Sequence, residues 1–93
     1  AINDLLDLSS DTYETLLYQT PEKQRALFMA IAAAGKAKAI NSSEFVRKYH
    51  LSSASSVASA AKGLLEKDFI TNDKGTYQVY DLFFKLWLLK TKL

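Results

Sequence analysis

Side chains able to do covalent or acid–base chemistry are scarce in this chain. It has no cysteine and a single imidazole, His50, which excludes disulfides, thiolate nucleophiles and every cysteine-based zinc or iron–sulfur site. A catalytic His50 would need a nucleophile and an orienting acid. The serines nearest to it in sequence, Ser52 and Ser53, stand where helix caps belong. No stretch has the pattern of the strained strand-to-helix turn that presents a hydrolase nucleophile. His50 falls at a helix end, where positive charge suits the dipole, and reads as a capping or surface residue. Asp4, Asp7 and Asp11 are not spaced as a calcium loop, and Asn72-Asp73-Lys74-Gly75 is turn chemistry. No G-x-x-x-x-G-K-[ST] phosphate loop is present. The expectation is a non-enzyme, with no catalytic residue, metal site or cofactor of its own.

Charge is the remaining chemical resource, and its placement says more than its sum of +2. Residues 1–20 hold four acids, Asp4, Asp7, Asp11 and Glu14, and no base. Residues 21–93 hold all twelve Lys and Arg against six acids. A basic body behind an acidic leader suits a polyanionic partner, while a solvated basic surface is the plainer alternative. Lys36, Lys38, Arg47, Lys48, Lys62 and Lys74 are the candidates for phosphate contacts.

These side chains must be positioned by one small domain. Ninety-three residues, 48% hydrophobic and 24% charged, with three Gly and one Pro, suffice for one core and not for a second domain. A chain of this size buries only about 60–65% of its unfolded surface, which leaves little volume for a deep enclosed site. No run approaches the roughly 20 apolar residues of a membrane span, and no signal-peptide pattern opens the chain. A soluble, cytoplasmic protein without a membrane partner is expected. The chain starts at Ala1 rather than Met, which suggests a piece of a longer protein.

The elements can be read in order. Leu5, Leu6 and Leu8, then Asp11 with Glu14 as a capping box, then Tyr13, Leu16 and Leu17 give one or two short helices. Thr20-Pro21-Glu22 supplies a cap, a first-turn proline and an acid at the helix start. The helix that follows spans 21 to about 35, with Leu27, Phe28 and Ile31 inward and Gly35 as its stop. After a link through Lys36 and Lys38, Asn41-Ser42-Ser43-Glu44 starts a two-turn helix ending near His50. Leu51-Ser52 then connects to a helix through Val57, Ala60, Ala61, Leu64 and Leu65, capped by Ser52. Two helices so joined form a helix-turn-helix. Phe69-Ile70-Thr71 and Thr76-Tyr77-Gln78-Val79-Tyr80 around Asn72-Asp73-Lys74-Gly75 form a β-hairpin. The order defines an α+β, mostly α, winged helix-turn-helix, with the hairpin as wing. Asp81 caps a last helix, Leu82 to about Leu89, apolar around most of its circumference.

The run from Thr20 to Leu89 resembles the C-terminal winged-helix domain of prokaryotic P-loop ATPases related to the origin-recognition branch of the AAA+ proteins. The helix at 21–35, the segment from Leu51 to Val57 leading into Leu64-Leu65-Glu66-Lys67, and above all Tyr77-Gln78-Val79-Tyr80-Asp81-Leu82-Phe83-Phe84-Lys85-Leu86-Trp87-Leu88 carry the likeness. The resemblance implies an upstream ATPase domain, outside these residues, that binds ATP and Mg. It also implies a winged helix that contacts DNA or regulates the motor. On this reading residues 1–20 form an acidic segment that packs on or links to the ATPase domain, and 21–93 form the winged helix.

Within the winged helix, the helix from Ser53 to Glu66 is the candidate reader of the major groove. With Val57, Ala60, Ala61 and Leu64 inward, Ser55, Ser59, Lys62 and Glu66 face out, with Ser56 and Gly63 at one side. Such a face can meet phosphates, but it has no Arg, Asn or Gln for bidentate base contacts. Weak or non-specific binding of double-stranded DNA is expected, aided by Lys74 at the wing and by Lys36, Lys38, Arg47 and Lys48. The alternative is a Ser/Ala surface that packs on a protein. The last helix has an apolar excess, and Phe83, Phe84, Trp87 and Leu88 are expected to form an interface with the ATPase domain or a second copy. Alternatively, the N-terminal helices fold back over it.

Overall fold

In the computed structural model, which describes residues 12–92, the chain runs α1 (12–19), α2 (Glu22–Ala34), β1 (Ala37–Lys38), α3 (Ser43–Lys48) and α4 (Ala54–Glu66). It continues as β2 (Ile70–Asp73), β3 (Thr76–Val79) and α5 (Leu82–Thr91). The expected stretch through Leu5 and Leu8, and the Asp11 cap, lie outside the described residues.

Local chemistry sets most boundaries. Thr20, expected to cap α2, instead closes α1: its Oγ1 donates to the Leu16 carbonyl at 2.7 Å and its N–H to that of Leu17 at 3.1 Å. Pro21 takes the N-cap position of α2, and Gly35, at φ 79°, ends it. The caps of α3 and α4 each fall one residue later than their first candidates. Ser42 Oγ accepts from Phe45 N, and Ser53 Oγ accepts from Ser56 N, both at 3.2 Å. The turn between α3 and α4 lacks a glycine, and His50 fills that role with φ 56°. His50 is exposed and closes α3 as the capping or surface reading expects, its N–H donating to the Arg47 carbonyl at 3.3 Å while the Leu51 N–H donates to that of Val46 at 2.9 Å. Asp81 Oδ1 accepts from Phe83 N and Phe84 N, which starts α5 as expected.

The link through Lys36 and Lys38 is in fact a short edge strand. Ala37 pairs with Tyr77 and Lys38 with Thr76, so the sheet is antiparallel in the order β1-β3-β2. In the wing, Ile70 pairs with Val79 and Asp73 with Thr76. The two-residue connection Lys74-Gly75 has φ of 52° and 89°, which is the type I′ geometry that suits the right-handed twist of a hairpin.

Helix α2 runs through the middle of the core. Its Leu27, Phe28 and Ile31 are fully buried, and α4 covers them with Val57, Ala60, Ala61 and Leu64. Phe28 meets Phe69 and Phe84 at ring distances of 5.5 and 4.9 Å. On the far side α1 lies across α5: Tyr13 stacks on Phe84 at 4.6 Å and tilts against Trp87 at 5.7 Å. Leu17 is buried in the same cluster, and Glu14 pairs with Lys92 at 2.9 Å.

Two expectations need correcting here. Phe84, Trp87 and Leu88 are interior residues, because α1 folds back over them, so they offer no surface to another molecule. For the same reason the described part of the 1–20 segment is not a separate body, since Tyr13 and Leu17 belong to the domain's own core.

Candidate nucleic-acid interface

Helix α4 presents its surface as the 3.6-residue period requires. Val57, Ala60, Ala61 and Leu64 point inward, and Ser55, Ser59, Lys62 and Glu66 are exposed. Ala58 joins that face, which the helical wheel had not included. Ser56 leaves it: half-buried, its hydroxyl accepts from Ser53 Oγ at 3.1 Å and lies 3.5 Å from Lys23 Nζ. Ser56 is thus tied into the capping network at the start of α4, which limits what it can offer a ligand.

The other flank of α4 is closed by α2. A side chain added at Gly63 would overlap Gln24, whose Oε1 accepts from Lys67 Nζ at 2.8 Å. Gln24 and Lys67 thus stand on the α2 flank of α4, where the two helices pack together. The accessible face of α4 is therefore narrow and bounded on one side by the wing.

Between α4 and the wing lies an open groove of about 600 Å³, with Ile40, Ala58, Ala61 and Leu65 on an apolar floor. Tyr77 and Gly75 come from the hairpin, while Lys62 and Glu66 stand on the helix rim. Tyr77 and Asn41 also line this groove, and sequence reasoning did not single them out. The signal for Tyr77 was present in the hairpin alternation, which puts it on the same face as the buried Val79.

The six candidate cations are all exposed, and none of them forms an ion pair with another described residue. The fold sorts them into three groups. Lys62 borders the groove, and Lys74 sits at the wing tip beside Gly75, which lines it. Lys38 stands across from Thr76 on β3, close to that tip, and shares a shallow depression with Lys36 and Lys48. Lys48 Nζ lies 5.5 Å from the Tyr49 ring centroid. Arg47 lies apart, at the turn, in a depression lined also by His50, Leu51 and Ala54. Lys23, beside the start of α4, is a further cation near this surface. The structure brings Lys62 and the wing together and leaves Arg47 and Lys48 on neighbouring but separate patches.

Lys74 occupies a position at which a long side chain is disfavoured. The first central residue of a type I′ turn is usually Asn, Asp or Gly, because other residues carry a Cβ penalty at positive φ. Replacing Lys74 with Asn should raise stability by about 0.5–1 kcal/mol, or roughly 2–8 °C in melting temperature for a domain of this size. If Lys74 holds a phosphate, the same substitution lowers affinity for DNA. Thermal unfolding and duplex titration of the one variant thus move in opposite directions.

A central helix, a helix-turn-helix and a hairpin whose strand β3 also pairs with the short edge strand β1 define the winged helix-turn-helix class. Residues 11–90 match the family described as a probable winged helix domain, and the chain belongs to it. No curated protein and no solved structure matches the chain. Domains of this class are typically non-catalytic. The family match reaches the fold and leaves the AAA+ setting to inference. No described helix is long and apolar enough to cross a membrane.

Proposed function

We propose that this domain is a non-catalytic module that binds double-stranded DNA weakly and with little sequence preference. In this reading α4 faces the groove of the duplex, and Lys62, Lys74 and Lys38 hold the backbone on either side of the helix–wing groove. Arg47, Lys36 and Lys48 extend the contact. The observation that carries the reading is the set of six exposed cations, free of ion pairs with other described residues, around a helix-turn-helix and wing. Weak specificity follows from the accessible residues of α4. Serine, alanine and one lysine cannot form the bidentate contacts worth about 1–3 kcal/mol per base pair.

The setting we infer is the C-terminal end of an AAA+-type P-loop ATPase, in which ATP and Mg bind upstream of these residues. This rests on the resemblance carried by residues 77–88. A regulatory or interaction role alongside DNA binding is favoured by one observation, the exposed apolar residues of α5.

Fluorescence anisotropy with labelled duplexes of two unrelated sequences tests the DNA reading. With about six phosphates neutralised, log affinity should fall against log salt with a slope near −5, so that going from about 50 to 200 mM salt weakens binding roughly a thousandfold. The two duplexes should differ by less than about tenfold. No binding at about 50 mM salt with about 100 μM protein sinks the proposal.

A further inference from the structure

The floor of the helix–wing groove is poorly suited to a phosphate. Ile40, Ala58, Ala61 and Leu65 offer it hydrocarbon side chains, where a charged group would lose water and gain no partner. At about 600 Å³ the groove lies in the range of small-molecule sites, about 300–1,000 Å³, which combine an apolar lining with a few polar groups. Its hairpin side is formed by Tyr77 on β3, the central strand, which β1 and β2 hold from both sides. Tyr77 is half-buried: it packs against the core and still lines the groove. The rings of Tyr13 and Tyr49 lie against Phe84 and Phe45, whereas that of Tyr77 stacks on no other ring of the described residues.

The rim adds charge and an amide. Lys62 stands on the helix side and Lys74 at the wing tip beside Gly75, both exposed and free of ion pairs with described residues. The Asn41 side chain is exposed and hydrogen-bonds to no described residue. Its amide has two donors and an acceptor, so it can meet the edge of any base. Glu66 is the one acid lining the groove; it repels a phosphate from its own end and can accept from an exocyclic amine. Cations beside an apolar cleft complement a nucleotide, whose base is apolar on its two faces and whose phosphates lie outside it. An aromatic ring with no stacking partner next to lysines is also how single strands are held, with bases stacked and backbone neutralised.

We propose that the helix–wing groove takes the base of an unpaired nucleotide, stacked on Tyr77, at the end of the duplex that α4 meets. The preferred ligand is then a duplex with a single-stranded overhang rather than a blunt one. This rests on the DNA reading above and agrees with its weak sequence preference, because every base has a face to stack.

Three short duplexes, each alike at both ends, separate base from phosphate. One is blunt, one ends in unpaired thymine nucleotides, and one ends in abasic nucleotides that keep the phosphates and lack the base. Both overhang polarities are included, and the tighter one is read. In fluorescence anisotropy at about 50 mM salt, the thymine duplex should bind at least about fivefold more tightly than the abasic one, the low end for a base stacked on an aromatic side chain. Tyr77→Phe loses only the hydroxyl that accepts from Asn72 Nδ2 at 3.4 Å and should keep the preference. Tyr77→Ala, with its fold checked by circular dichroism, should erase it and leave affinity for the blunt duplex within about twofold. Both variants should keep the parent's salt slope, because no charge is removed. Equal affinity of the parent protein for the thymine and abasic duplexes overturns the proposal while blunt binding upholds the DNA reading; the groove is then left to a side chain of a protein partner. A preference that survives Tyr77→Ala also overturns it. If no duplex binds, both fall. If only the thymine duplex binds, the groove site stands and the blunt-duplex reading falls.

Discussion

Replacing Trp87 by Ala should cost about 3–5 kcal/mol of folding free energy, the range for truncating a large buried aromatic residue. Trp87 is 1% exposed and is the largest fully buried side chain. It touches Tyr13 and Phe84, and Lys92 Nζ lies 5.9 Å above its ring. Small domains have only about 5–15 kcal/mol in total, so the loss should lower the melting temperature by roughly 12–40 °C, measured by circular dichroism. The companion variant Tyr13→Ala keeps the single Trp as a fluorescent reporter of the same contact. If α1 is integral to the core, Tyr13→Ala destabilises the whole domain in one transition, and its cost combined with Trp87→Ala falls short of additive by about 0.5–3 kcal/mol. A Tyr13→Ala protein as stable as the parent would detach α1 from the domain and restore the boundary at residue 20.

That boundary shows where sequence reasoning reached its limit. The acidic composition of residues 1–20 suggested a segment apart, whereas its apolar residues Tyr13 and Leu17 settle where it packs. Charge describes the outward face of a helix and says nothing of the inward one. The excess of apolar residues on α5 was legible, and so were its two resolutions, an outside partner or a fold-back. Choosing between them needed the tertiary position of α1, and the answer is divided: Phe84, Trp87 and Leu88 are covered from within, while Leu82, Phe83 and Leu89 are not.

Where local chemistry decides, the reading was close. The hairpin turn is Lys74-Gly75, inside the stretch assigned to it, and the inward face of α4 is the one its spacing gave. Caps moved by one residue because neighbouring cap-forming residues, Asn41 and Ser42 before α3 and Ser52 and Ser53 before α4, compete for the same role. Ser52 and Ser53 are equivalent by composition, and only the backbone path through His50 selects Ser53. Strand β1 was missed because two residues cannot show an alternation. Its pairing with Tyr77 and Thr76 depends on contacts forty residues away in sequence. That omission matters for the site, because β1 brings Lys38 to the wing instead of leaving it on a link.

The wing and the recognition helix should supply a separable part of DNA binding, measurable in the variant Lys62→Ala, Lys74→Ala. Both side chains are exposed, and neither has an ion-pair partner among the described residues. Alanine keeps the Cβ that strains position 74, so stability should stay within about 0.5 kcal/mol. Each lost phosphate contact lowers the salt slope by about 0.9, which is roughly 15-fold in affinity at 50 mM salt and roughly fourfold at 200 mM. The double variant should therefore bind about 200-fold more weakly than the parent at low salt and only about 20-fold more weakly at high salt. The loss should be the same for both duplex sequences, because phosphates carry no sequence information. The parallel variant Lys36→Ala, Lys48→Ala tests the neighbouring depression. If that pair carries the larger loss and Lys62→Ala, Lys74→Ala leaves the slope unchanged, the duplex lies against β1 and α3, and α4 is not the element that meets it. If the first pair dominates, the helix–wing groove is the contact surface, and its serine and alanine face explains why affinity comes without selectivity.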